Sequence, residues 1–200
     1  MANANFTPRD GGGAHNPGIV FNNKMWLNGG WNLDDNANSQ WNTADGVNWT
    51  EVNPYMNIHA IFDNKLWNIN GSVWNSADGI NWSLIANQAP PLPYTLVFNN
   101  KLWLVGSDSV CYSADGITWT LATDNLPWLY RNFFGAVVFD NKMWVLGGVN
   151  YTGTGDSWDT YNDIWYTSDG INWKLAVNEA PWVPRRFFTP LVHYNKLWVI

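Results

Sequence analysis

Two short words alternate along this chain, and their alternation limits the fold more than any other property of the sequence. The first is an apolar run followed by x-Asn-Lys-Leu/Met-Trp, ending at Trp26, Trp67, Trp103, Trp144 and Trp198. The second is Ser/Thr-x-Asp-Gly-x-x-Trp, ending at Trp49, Trp82, Trp119 and Trp173. The lysines of the first word, Lys24, Lys65, Lys101, Lys142 and Lys196, lie 41, 36, 41 and 54 residues apart. Periods of that length belong to stacked repeats in which each unit buries its apolar faces on its neighbours.

Each word reads as a β-hairpin. Asn-Asn or Asp-Asn between two apolar runs supplies the positive-φ residues of a two-residue primed turn, and Asp-Gly is expected to do the same in the second word. The flanking runs, such as FGAVVF, KMWVLGG and SVCYS, are short and rich in β-branched and aromatic residues, and no stretch keeps a helical apolar period. Two hairpins per repeat make a four-stranded antiparallel unit, A-B-C-D. The runs are apolar at consecutive positions, which suits sheets buried on both faces. The predicted class is therefore all-β, a β-propeller of four-stranded blades. One domain is expected over 1–200, with repeats at about 14–53, 54–89, 90–126, 127–181 and 182–200. Four blades are then complete and a fifth is half made, which predicts the front part of a six- or seven-bladed propeller whose unclosed blade edge invites self-association.

Length variation is confined to the B–C and D–A connections, which a meander places on one face opposite the tight A–B and C–D turns. Function is usually carried on such loops above a rigid scaffold. The chain has 16 tryptophans, and twelve occupy repeat positions. They are the nine that end the words, with Trp41, Trp74 and Trp165 four residues before the Asp, where the third repeat has Cys111. These twelve are expected to bury their rings between blades, with Cys111 buried and inert. Asp45, Asp78, Asp115 and Asp169 are expected to accept turn N–H bonds as part of the same scaffold.

Trp31, Trp128, Trp158 and Trp182 are not explained by the repeat. Trp31 and Trp158 stand in the two longest B–C connections, Trp128 and Trp182 in D–A connections of the form Pro-Trp-x-x-Arg. Together with Tyr130, Arg131, Tyr151 and Arg185 they are the candidate ligand-binding residues of the loop face, aromatic rings for a sugar or an interface anchor and guanidinium forks for a carboxylate. The competing reading is that Trp128 and Trp182 plug the seam between blades and that Arg131 and Arg185 cap carbonyls or pair with a loop Asp.

The segment AVVFDNKMWVLGG, followed by DIWYTSDGINWK and preceded by PWLYR, resembles the kelch-type propellers of bacterial surface and secreted proteins, related to the central domain of galactose oxidase. The Ser/Thr-x-Asp-Gly-x-x-Trp word is similar to the Asp-box hairpin of sialidases. The di-glycine after strand B, Gly29-Gly30 and Gly147-Gly148, is missing from repeats two and three. The resemblance implies a propeller fold and favours an extracellular or cell-surface location, although the opening MANANFTPRDGGG has neither the basic nor the apolar region of a signal peptide.

A net charge of −6 and a pI near 4.7 argue against nucleic acid as a partner. Apolar runs stop at four or five residues, so no membrane insertion is expected. The single cysteine excludes an intrachain disulfide and a cysteine-based zinc cluster. His15, His59 and His193 show no metal spacing, with His193 expected to be packed. The cluster Asp156, Asp159, Asp163 has no EF-hand spacing, so neither a metal nor another cofactor is expected. No nucleophile–base pair and no sialidase-like set of arginines is legible. The function expected is a non-catalytic binding module for a glycan or a protein. The alternatives are the front part of a sugar-acting enzyme with its catalytic residues in other blades, or a structural repeat of a surface or tail assembly.

Overall fold

The structure is a computed structural model that describes residues 18–31, 38–52, 56–151 and 158–200, the side chains at 29–31, 38, 39, 151 and 158 excepted. Every regular element among the described residues is a β-strand. The chain divides into two compact units, Met1–Asn87 and Gln88–Ile200. In the first unit, β1 (Ile19–Phe21), β2 (Lys24–Trp31), β3 (Asn38–Thr43) and β4 (Thr50–Val52) form one antiparallel sheet in that order. A second sheet takes β5 (Ala60–Phe62), β6 (Lys65–Asn70), β7 (Ser72–Ser76) and β8 (Ser83–Ala86).

The second unit repeats the plan. β9 (Tyr94–Phe98), β10 (Lys101–Val105), β11 (Val110–Ser113) and β12 (Thr120–Thr123) make its first sheet, and β13 (Gly135–Phe139), β14 (Lys142–Tyr151), β15 (Trp158–Thr167) and β16 (Lys174–Val177) its second. A two-stranded sheet of β17 (Pro190–His193) and β18 (Lys196–Val199) follows. Sheets of four consecutive antiparallel strands are the blades of a β-propeller, as the alternating words predict. The second strand of a blade is buried on both faces, as at Leu102, Trp103, Leu104 and Val105, whereas the fourth carries exposed positions, as at Lys174 and Leu175.

The two turns differ in chemistry. In the A–B turns both central residues have positive φ: 50° and 57° at Asn22 and Asn23, 49° and 52° at Asp140 and Asn141. These are primed turns, and Asn and Asp tolerate the left-handed region with little strain. Each then receives an indole: Nε1–H of Trp26, Trp67, Trp103, Trp144 and Trp198 donates to the carbonyl five residues earlier at 3.1, 2.7, 2.9, 2.8 and 3.1 Å.

The Asp-Gly word does not close a two-residue turn. It spans 44–49, 77–82, 114–119 and 168–173 between the paired strands, with positive φ only at the glycine. The aspartate takes the place of the missing ladder bonds. Asp45 Oδ1 accepts the N–H groups of Val47 and Asn48 at 2.8 and 2.7 Å and the Thr43 hydroxyl at 3.0 Å, while Thr43 Oγ1 accepts Gly46 N–H at 2.9 Å. The same set recurs at Asp78, Asp115 and Asp169. Hydrogen bonds from Asn48 and Val47 hold the Asp45 carboxyl well below the usual carboxylate range.

Acid stability follows from two kinds of group. His59 Nδ1 accepts Ile69 N–H at 2.8 Å, and burial brings its pKa down to about 4. The unfolded chain takes up that proton near 6.5 while the folded chain refuses it, so stability falls as pH drops from about 6.5 to 4, by at most about 3 kcal/mol. The aspartates of the turns keep their contribution until pH falls below the ordinary carboxylate range. Urea titrations at pH 7, 5 and 4 are expected to show the upper loss in the native chain and its disappearance in His59→Asn; an unchanged pH profile in that variant would remove His59 as the cause.

Candidate functional site

Two D–A connections in the second unit carry one common word, Pro127-Trp128-Leu129-Tyr130-Arg131-Asn132-Phe133-Phe134 and Pro181-Trp182-Val183-Pro184-Arg185-Arg186-Phe187-Phe188. Backbone bonds tie both to the ends of β14 and β15. Asn132 and Val149 exchange N–H···O bonds of 2.8 and 2.9 Å, Gly148 N–H donates to Arg185 O at 3.0 Å, and Arg185 N–H to Tyr161 O at 3.1 Å. The B–C and D–A connections of this blade thus meet on one side. Close approach requires the di-glycine: a Cβ on Gly147 would lie 2.9 Å from Tyr161 O and 3.0 Å from Arg185 O.

The last residue of each word enters the core, Phe134 beside Trp103 and Met143, and Phe188 beside Leu146 and Ile164. The residue before it cannot follow. Phe133 and Phe187 both sit at positive φ, 52° and 56°. A bulky side chain in the left-handed region is strained by about 1–3 kcal/mol and persists where surrounding contacts over-determine it. Those contacts are mutual: Phe187 N–H donates to Phe133 O at 3.1 Å, and the two rings stand 4.0 Å apart at 32°. The pair is inconspicuous in the sequence because Phe-Phe at the head of a strand reads as core. The shared spacing Arg-x-Phe-Phe in both loops is the signal that would have marked it.

The candidate residues separate. Trp128 is 7 % exposed and packs edge-on to Trp173 at 4.9 Å, with Trp165 at 5.9 Å. It is a core residue, so the seam reading holds and its ring faces no ligand. Trp182 is half-buried against Leu146, Ile164, Ala180 and Phe188. Arg131 is 2 % exposed, and its guanidinium is consumed internally. It donates through both NH groups to Asp163, the second bond at 2.9 Å, and to Gly147 O at 3.0 Å and Leu129 O at 3.3 Å, with the Tyr161 ring 4.4 Å away. Trp165 Nε1–H also donates to Asp163 at 2.7 Å. The carboxylate-binding role is therefore occupied from within the blade, and Asp163 is not available as a cation ligand.

Arg185 occupies the equivalent place and keeps the equivalent backbone anchor, Nε–H to Val183 O at 3.3 Å. It makes no ion pair among the described residues. Tyr130 is 55 % and Phe187 48 % exposed, and Leu129 and Val183 are exposed beside them on the two loops. The backbones of Trp31, Tyr151 and Trp158 lie at the ends of β2, β14 and β15, where Trp31 pairs with Asn38 and Tyr151 with Trp158; their side chains fall outside the described residues, as does Asp156.

Two expectations of packing are corrected. His193 is exposed, its carbonyl engaged by Trp198. Trp198 itself is 46 % exposed, because among the described residues no Asp-Gly turn lies against its ring as Gly79 does against Trp26. Cys111 is a buried free thiol, its pKa raised by burial, which keeps it protonated and unreactive.

No protein-family model matches the chain. No curated protein matches it either. Among solved structures 115 chains do. One of them, described as "Structure of YjhT", superposes with a TM-score of 0.73 at 12 % identity, covering 92 % of this chain and 75 % of that one. At that identity the likeness concerns the fold alone, and the fold is the β-propeller.

Proposed function

We propose that the chain is a kelch-like propeller with Asp-box-type hairpins that serves as a non-catalytic binding module, and that it recognises a glycan through the loops 127–134 and 181–188. The observation that carries the reading is the strained, stacked pair Phe133–Phe187 with Tyr130 exposed on the same loops. Strain held in place by several contacts is a mark of functional positions. Aromatic rings with one face open give the flat apolar surface on which a pyranose stacks, and the neighbouring loop backbone supplies polar edges. The catalytic reading has less support. The buried arginine and its carboxylate neutralise each other, and the other recurrent carboxylates hold turns.

A glycan array tests this. The native chain is expected to bind a restricted set of glycans, and Tyr130→Ala and Phe187→Ala to weaken the best of them tenfold or more with unchanged far-UV circular dichroism. An array without binders, or binders indifferent to both substitutions, would refute the glycan reading. Capture of a defined protein partner lost in the same variants would assign the surface to protein recognition instead.

A further inference from the structure

We infer that the outer edge of β18 is an acceptor site for an extended strand that carries an aspartate or glutamate two residues before a tryptophan, its carboxylate seated on Arg185. The first support is topological. In each four-stranded blade the second strand is paired on both edges, as β14 is with β13 and β15. β18 is paired with β17 alone. Its outer edge has none of the usual protections: the strand is Lys196-Leu197-Trp198-Val199, without proline or bulge, and Trp198 and Leu191 remain exposed on the sheet.

The second support is the chemistry of the repeats themselves. Arg131 stands eight residues before Phe139, and Arg185 eight before His193, both ending the first strand of their sheets. The corresponding residues are Pro54 and Pro90 in the second and third repeats. The residue two before the third-strand Trp or Cys changes in step: it is Ser72 and Ser109 where the loop has proline, and Asp163 where the loop has Arg131. The serine and the aspartate do the same local service, since Trp74 Nε1–H donates to Ser72 Oγ at 2.9 Å and Trp165 Nε1–H to Asp163 at 2.7 Å. What the aspartate adds is the charge that Arg131 requires. Arg185 is held by its own Nε–H in the same posture and has no carboxylate among the described residues. Charge complementarity therefore specifies the strand that fits this edge, an Asp-apolar-Trp segment of the kind seen at Asp163-Ile164-Trp165.

The probe is a synthetic peptide of residues 158–177, which holds that segment and its Asp-Gly hairpin, added in trans to the full chain. Saturable binding is expected, with slowed amide hydrogen exchange at residues 196–200. The Asp163→Asn peptide and the Arg185→Gln protein are each expected to bind roughly tenfold more weakly or worse, and the two changes together to add little to either alone. Because the peptide substitution leaves the protein untouched, the result does not depend on how Arg185→Gln folds. Absence of binding at millimolar peptide, equal binding of the Asp163→Asn peptide, or protection elsewhere than β18 would overturn the proposal. So would concentration-dependent dimerisation that protects 196–200 without peptide, which would assign the edge to a second copy. Glycan binding at Tyr130 and Phe187 is read separately on the array, so either inference can fail alone.

Discussion

Arg131→Ala is expected to destabilise the second unit by about 3–5 kcal/mol, among the largest effects of any single substitution in the chain. The guanidinium is almost fully buried and joins Asp163, Gly147 O and Leu129 O in one network. Truncating it leaves a carboxylate in a poorly hydrated site with only the Trp165 indole as a donor, and two carbonyls without their partner. The loss is one of desolvation, so removal of both charges should be far milder. Arg131→Met combined with Asp163→Leu is expected to recover most of the stability, because a buried ion pair contributes little beyond a well-packed apolar replacement. Urea unfolding of the two single variants and the double variant checks this. A double variant as unstable as Arg131→Ala would mean that the pair stabilises the blade in its own right.

Gly170→Ala is expected to cost about 3 kcal/mol, far more than a methyl group on a surface turn. Gly170 has a φ of 81°, and a Cβ there would fall inside the ring of Trp103, which belongs to the preceding blade. Strain of the left-handed backbone contributes about 1 kcal/mol and the clash with a ring fixed by its bond to Phe98 O the remainder. Trp103→Ala alone should cost about 3–5 kcal/mol through the cavity it leaves. In that background Gly170→Ala has space, and only the backbone strain should persist. The double variant is therefore expected to be more stable than the sum of the singles by about 1–2 kcal/mol. Strict additivity in thermal or chemical denaturation would show that the two residues do not form the interlock. Gly79 and Trp26 form the same interlock in the first unit.

These contacts explain how far the sequence could be read. Asn and Asp at the A–B turns announce positive φ, so strand pairing and register around Asn22-Asn23 or Asp140-Asn141 were legible, and with them the blade. The Asp-Gly word was misread as a two-residue turn because a side-chain acceptor can replace ladder bonds over several residues, and no residue pattern distinguishes the two uses of Asp. Its glycine serves both as a turn residue and as the seat of an indole from the neighbouring blade, which only the packed structure displays. At the loops the difficulty was different. Pro-Trp-x-x-Arg is consistent with an exposed ring and a free fork or with a plugged seam and a satisfied one, and the choice rests on Asp163 and Trp173, distant in sequence. The Phe133–Phe187 pair escaped notice because strain is a property of φ and leaves no mark on hydrophobic pattern.

The tryptophans divide between scaffold and neighbours of a recognition surface, and this division can be observed in one spectrum. In a 15N NMR titration with the best glycan from the array, the indole N–H signals of Trp26, Trp67, Trp103 and Trp144 are expected to remain fixed, each held by its turn carbonyl. The backbone amides of Leu129, Tyr130, Val183 and Phe187 are expected to shift in proportion to occupancy. Shifts at the four turn indoles with those loop amides unchanged would contradict the placement of recognition on the two strained loops.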